Sequence, residues 1–183
     1  MDRIDKMTVM VIEKPFAKPL QNAVYKLYGA QHVFVQLETG GASGIGEVVC
    51  FEKAQANAFC AYLESMKDRI LGQDARYIRK IWKALFTSMS GIGHSGISMQ
   101  ALGAVDTALW DLNGKLLQVP VWQMLGAERS EVPAYATGGW LGSNEELVEE
   151  ALEYKKMGYS RFKMKLGKKD WKEDIRRVRL VQQ

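Results

Sequence analysis

The 183-residue sequence predicts an α+β domain followed by the opening of a parallel α/β domain. Three observations predict it. Stretches rich in Val, Ile, Met and Phe come first and helical stretches follow them. A long helix carries an apolar stripe at steps of three and four. After Gly126 the pattern switches to strand, helix, strand, helix. The division falls between residues 1–129 and 130–183.

Met7 to Phe16 and Gln31 to Thr39 read as strands, and Ile45 to Phe51 returns as a third after the Gly40-Gly41-Ala42-Ser43-Gly44 turn. Ala17 to Ala30 has no strong periodicity and follows Pro15, with Pro19 inside it, so it reads as a mobile loop. Helical character runs from Lys53 to Leu71, where Gly72 supplies a C-terminal stop, and again from Arg76 to Met89. The clearest element is Ser98 to Leu117, in which Leu102, Val105, Leu109, Leu112 and Leu116 form one buried stripe. Pro120 opens a short turn ending at Gly126. Glu131 to Thr137 is a short strand followed by Gly138-Gly139-Trp140. Ser143-Asn144-Glu145-Glu146 is a capping box, and the helix it opens buries Leu147, Ala151 and Tyr154 before Gly158. A last helix begins near Lys169. Two parallel strands do not close a sheet covered by helices, so further strands would be missing or come from another chain.

The strand between those last two helices carries the chemistry. Phe162, Met164 and Leu166 alternate with Arg161, Lys163 and Lys165, a period of two. Parallel strands covered on both faces read as apolar runs, so Lys163 and Lys165 on one face stand out. They lie about 7 Å apart at roughly 3.3 Å rise per residue. Two partly desolvated ammonium groups at that distance disfavour each other's charge, and a lysine driven toward neutrality can take a proton from carbon. The same pattern fits the solvated face of an exposed strand. The helix–strand–helix context is what argues for function.

Composition narrows the rest. The chain is 47% hydrophobic and 25% charged with a formal charge of +4, ordinary for a soluble globular protein and too little to imply nucleic acid. The basic run from Lys163 to Arg179 is interrupted by Asp170, Glu173 and Asp174 and reads as a solvated helix face. Cys50 and Cys60 lack metal-knuckle spacing and a disulfide framework, which fits a reducing cytoplasm. No stretch is apolar and long enough for a membrane span or a leader. Gly91-Ile92-Gly93-His94-Ser95-Gly96 fits a dinucleotide fingerprint in letters only, because a helix and not a strand precedes it. Asp106 and Asp111 fall on different helix faces and read as structural. His32 and His94 have no partners in the sequence, which argues against a metal site built from them. Trp110 and Trp122 read as packing groups, while Trp140, following a strand end, is a candidate pocket wall.

Three stretches together resemble the enolase superfamily in its mandelate racemase and muconate cycloisomerase branch. They are Ala104 to Lys115 with Val119 to Gly126, the Lys163-Met164-Lys165 strand, and Ile45-Gly46-Glu47. The resemblance covers nearly the whole chain. It implies an N-terminal α+β capping domain followed by the first two βα units of a TIM-type barrel, incomplete here because such a barrel takes about 250 residues. It implies an Mg²⁺-dependent enzyme that abstracts the proton α to a substrate carboxylate, as racemase or epimerase, acid-sugar dehydratase or cycloisomerase. Lys165 would be the base and Lys163 would sit near the carboxylate. Thr137, at a barrel-strand end, and Trp140 would line the substrate site, and the loop within Ala17 to Ala30 would close over it. The resemblance places the metal ligands on later strands, outside this chain, so the fragment alone is expected to be inactive. The partners it implies are a small carboxylate substrate and further copies of the chain, with neither nucleic acid nor membrane. A non-catalytic α+β binding or assembly module is the other reading left open.

Overall fold

A computed structural model describes residues 2–182. The chain divides into two compact units. The first holds residues 1–14 and 30–128, and the second holds residues 15–29 and 129–183.

Strands β1 (Lys6–Gln21), β2 (Lys26–Thr39) and β3 (Ala42–Cys50) lie in that order across one sheet, and the first unit takes β1 up to Lys14, β2 from Ala30 and all of β3. β2 and β3 are antiparallel, with Val33 opposite Val48 and Val35 opposite Gly46. Period-two burial follows: Val33, Val35 and Leu37 are fully buried, and Gly44, Gly46 and Val48 on the same face are buried. Helix α4 (Ile97–Leu117) lies on that face with Leu102, Val105, Leu109 and Leu112 buried. Glycine permits the close approach. A Cβ on Gly46 would overlap the Ala104 carbonyl, and one on Gly44 would overlap the Ala108 carbonyl. Asp111 ties the pair at one edge, accepting the Ile45 N–H at 2.9 Å and the Lys115 ammonium at 2.7 Å. Asn113 is buried but satisfied, donating to the carbonyls of Ala75 and Leu109, each at 2.8 Å.

Helices α1 (Lys53–Glu64), α2 (Lys67–Ile70), α3 (Ile78–Ser88) and α5 (Val121–Met124) complete the unit. The single helix expected from Lys53 to Leu71 is interrupted after Glu64, where the Met66 N–H turns to the Leu63 carbonyl at 3.0 Å and tightens the chain out of the α-helical ladder. His32 has a partner after all: its Nδ1 lies 2.5 Å from Glu47 Oε1 on the neighbouring strand. His94 stacks on Phe86 at 3.9 Å between ring centres and its Nε2 meets the Phe86 carbonyl. Cys50 and Cys60 are both free, and burial raises both thiols.

The expected loop over residues 17–30 is not a loop. β1 and β2 continue to a tight turn at Asn22–Tyr25, where the Asn22 side-chain oxygen accepts the N–H groups of Val24 and Tyr25 at 2.8 and 2.7 Å. Pro15 and Pro19 are accommodated because β1 is an edge strand.

The rest of the second unit reads β4 (Ala136–Thr137), α6 (Asn144–Lys156), β5 (Phe162–Lys163), α7 (Trp171–Gln182). β4 and β5 are parallel, with Ala136 opposite Phe162 and Thr137 opposite Lys163. The strand expected from Glu131 is shorter, since Pro133 has no N–H to offer the ladder. Ser143 and Glu146 form the reciprocal capping box at the start of α6. Leu147 is buried as expected, whereas Ala151 and Tyr154 are only half-buried. Among the described residues no helix is long and apolar enough to cross a membrane.

Candidate active site

The two lysines sit at the end of the β4–β5 ladder. The Ala136 N–H donates to the Arg161 carbonyl, the Gly138 N–H to Lys163 and the Lys165 N–H to Gly139, at 3.0, 3.0 and 2.9 Å. The pairing therefore persists past the strand end to Lys165, and alternation puts both lysines on one side of it. Lys163 is exposed and Lys165 half-buried. Each ammonium faces an aromatic ring from the segment alongside: Lys163 lies 6.0 Å from the Tyr135 ring centre and Lys165 4.9 Å from that of Trp140. Thr137, opposite Lys163, is exposed. Of the four residues singled out from sequence, two are joined by a direct side-chain contact, Lys165 and Trp140.

The loop that carries Trp140 is fixed by charged side chains that the sequence reading did not find. Gly139 takes φ +58°, and a Cβ there would run into Met164. Its N–H donates to the Glu150 carboxylate of α6 at 2.7 Å. From α7, Arg177 is 0% exposed. Its Nη2 donates to the carbonyls of Trp140 and Gly139 at 2.9 and 3.4 Å, and Nη1 to that of Gly142 at 3.3 Å. Its Nε has no hydrogen-bond partner. Burial pushes the guanidinium below its ordinary value, opposed by the charges of Asp174 and Glu173. The expectation of a solvated face across this helix is thus corrected at Arg177.

The turn after the lysines is pinned in the same manner. Asp174 accepts the N–H groups of Gly167 and Lys168 at 2.8 and 3.2 Å. Gly167 has φ +120° and no room for a Cβ, which would meet Ala23 of the β1–β2 turn. That hairpin end is held further along the unit. The Leu141 N–H donates to the Gln21 carbonyl at 2.8 Å, and the Lys18 ammonium contacts Glu146 at 2.7 Å. Lys18 holds the Glu146 carboxyl below its ordinary value. Between hairpin and α6 lies a cleft of about 570 Å³, whose walls include Lys18, Lys26, Trp140, Glu149 and Glu153. Trp140 therefore faces both this cleft and Lys165.

Elsewhere the chemistry is structural. Asp106 is half-buried, and burial raises its carboxyl against the opposing hydrogen bond from Trp110. Among the described residues no three or more His, Cys, Asp or Glu side chains gather as a metal site would require. What the arrangement does offer is a pair of amines at a strand end, one under an indole ring, beside a cleft. Such a pair suits binding an anion and exchanging a proton with it.

Comparison with known proteins places this geometry in context. Residues 6–126 match the family model of the mandelate racemase / muconate lactonizing enzyme, N-terminal domain. The chain is 32% identical over 156 residues to arabinonate dehydratase from Saccharolobus solfataricus, covering 82% of this chain and 41% of that protein. It is 31% identical to D-galactarolactone cycloisomerase from Agrobacterium fabrum, covering 99% of this chain and 48% of the relative. Among solved structures, L-talarate/galactarate dehydratase from Salmonella typhimurium LT2, liganded with Mg and L-lyxarohydroxamate, superposes with a TM-score of 0.91 at 28% identity. That match covers 98% of this chain and 48% of the other. The chain thus spans about half the length of the relatives it matches.

Proposed function

The chain belongs to the mandelate racemase / muconate lactonizing enzyme branch of the enolase superfamily, and from that premise we propose that it carries the proton-abstracting strand of a carbon-acid enzyme. Residues 1–129 would be the capping domain, and residues 130–183 the first two βα units of a TIM-type barrel. The relatives are acid-sugar dehydratases and cycloisomerases, so the substrate class proposed is a small acid sugar or its lactone.

The observation that carries this reading is Lys165, half-buried at the ladder end with its ammonium over Trp140. As the free amine, Lys165 would accept the proton from the carbon α to the substrate carboxylate. The C–H electron pair would pass into that carboxylate, giving an enediolate. Lys163, on the same strand side, is placed to lie near the carboxylate and offset its charge. Thr137 and Trp140 would bound the substrate, and the hairpin end over residues 15–29 would cover it and exclude water.

The dehydratase from Salmonella typhimurium was solved with Mg. The described residues do not by themselves make up such a site, since no three of their His, Cys, Asp or Glu side chains gather. A metal in the working enzyme would take its ligands from outside these 183 residues, and no step above runs through it.

The test is exchange of a substrate α-proton with solvent deuterium, followed by NMR on galactarate, using the protein carried through to the length of its relatives. Lys165→Ala should lower the exchange rate by about 10²–10⁴-fold, the usual worth of a positioned base. A variant that keeps exchange within tenfold of the parent removes Lys165 from this role.

A further inference from the structure

We propose that Arg177 is a positioning residue that acts through Trp140 on Lys165. The catalytic meaning of this assignment rests on the reading of Lys165 as the base, whereas the geometry does not. Burying a guanidinium is costly unless its donors are satisfied and a counter-charge is at hand. Arg177 is fully buried, and its three hydrogen bonds go to main-chain carbonyls of a single loop, those of Gly139, Trp140 and Gly142. No ion pair holds it among the described residues. Simple space-filling would be served as well by methionine or leucine. What a guanidinium adds is direction, because its rigid planar fork makes several carbonyls converge on one point.

The loop it grips needs such a fixture. Gly138 and Gly139 bring little conformational preference of their own. Two opposed charged anchors supply it: Glu150 takes the Gly139 N–H from one side, and Arg177 takes the Gly139 and Trp140 carbonyls from the other. Gly139 and Trp140 also reach Lys165. The Gly139 carbonyl accepts the Lys165 N–H, and the Trp140 ring lies over the Lys165 ammonium. The chain of contact therefore runs from α7, through the loop, to the backbone and side chain of the lysine. Lys163 meets the loop only through its main-chain carbonyl, which accepts the Gly138 N–H, and its ammonium lies toward Tyr135, so it serves as an internal control.

The test needs neither substrate nor metal, so its failure is separate from failure of the proposed function. The 183-residue chain is acetylated at one pH with N-hydroxysuccinimidyl acetate, and the rates at Lys165 and Lys163 are read by peptide mass spectrometry. In the parent chain Lys165, half-buried against Trp140, should react more slowly than the exposed Lys163. Trp140→Leu should raise the Lys165-to-Lys163 ratio about two- to five-fold, the worth of an exposed cation–π contact. Arg177→Met should raise it similarly, and the double variant no further than either single, as required when one residue acts through the other. Circular dichroism checks that Arg177→Met folds; if it does not, Arg177→Gln, which keeps a donor, replaces it. A ratio unchanged by Trp140→Leu overturns the proposal. So do additive effects in the double variant, or an Arg177 variant that accelerates both lysines equally, the result of general loosening.

Discussion

The contact between α4 and β3 and the surroundings of the lysine pair are two opposite ways of holding backbone in place. In the first, glycines at 44 and 46 let a helix of small and branched side chains lie directly on a strand, and buried leucines fill the rest. In the second, the buried apolar side chains of the whole unit, among the described residues, are Ala136 and Leu147. Its largest fully buried side chain is an arginine, and its loops hang from Glu150, Asp174 and Arg177. Apolar burial is non-directional and depends on volume, whereas charged hydrogen bonds fix angles. One region is therefore shaped to be stable, and the other to hold a few groups in set orientations.

Substitutions can sharpen or break that contrast, with residue-resolved hydrogen exchange in urea reading each unit separately. The largest effect is expected for Gly46→Val, which drives a branched side chain into the Ala104 carbonyl. It should cost the first unit about 3 kcal/mol or more and leave protection around Lys165 unaltered. In the second unit, Asp174→Asn weakens the acceptor for Gly167 and Lys168 and should cost about 1.5 kcal/mol, read as faster exchange at those two amides. Ser143→Ala removes the cap of α6 and should cost about 1 kcal/mol, confined to the first turn of that helix. If Gly46→Val loosened both units equally, the contrast would fail.

The smallest effect tests the exception inside the apolar unit. Arg76, by its side chain and then its N–H, holds the Asp74 carboxyl at about 2 against an ordinary 3.8. A depressed folded value means that the stabilisation is present above about pH 3.8 and is lost as pH falls toward 2. Protection near Asp74 should decline across that window in the parent chain and not in Asp74→Asn.

Much of this was legible beforehand. The stripe on α4, the glycine turn before β3 and the box at Ser143 are local patterns that one element decides alone. The lysine strand was readable because its charges violate the pattern for a parallel strand. Residues 17–30 were missed because two prolines break the alternation and both faces of that hairpin end are largely exposed, so no periodicity marks it. Arg177 and Glu150 were missed for another reason. In sequence a charge on a helix looks the same whether it faces water or a loop's carbonyls. Only the neighbouring loop tells them apart, and it lies 35 or more residues from Arg177. Even so, the cleft beside Trp140 arises from segments no local reading would join.

The ion pair between Lys18 and Glu146 joins residues 128 apart, and that separation becomes a delay while the protein is being made. Ribosomes add about 5–20 residues per second, so the hairpin end emerges on the order of ten seconds before its partner on α6 exists. Throughout that interval its carbonyl at Gln21 and its turn at Ala23 face only solvent or chaperone, although the strands from which they extend can already pair. The unit that holds the lysines is thus finished after the first unit, and its assembly is timed by translation.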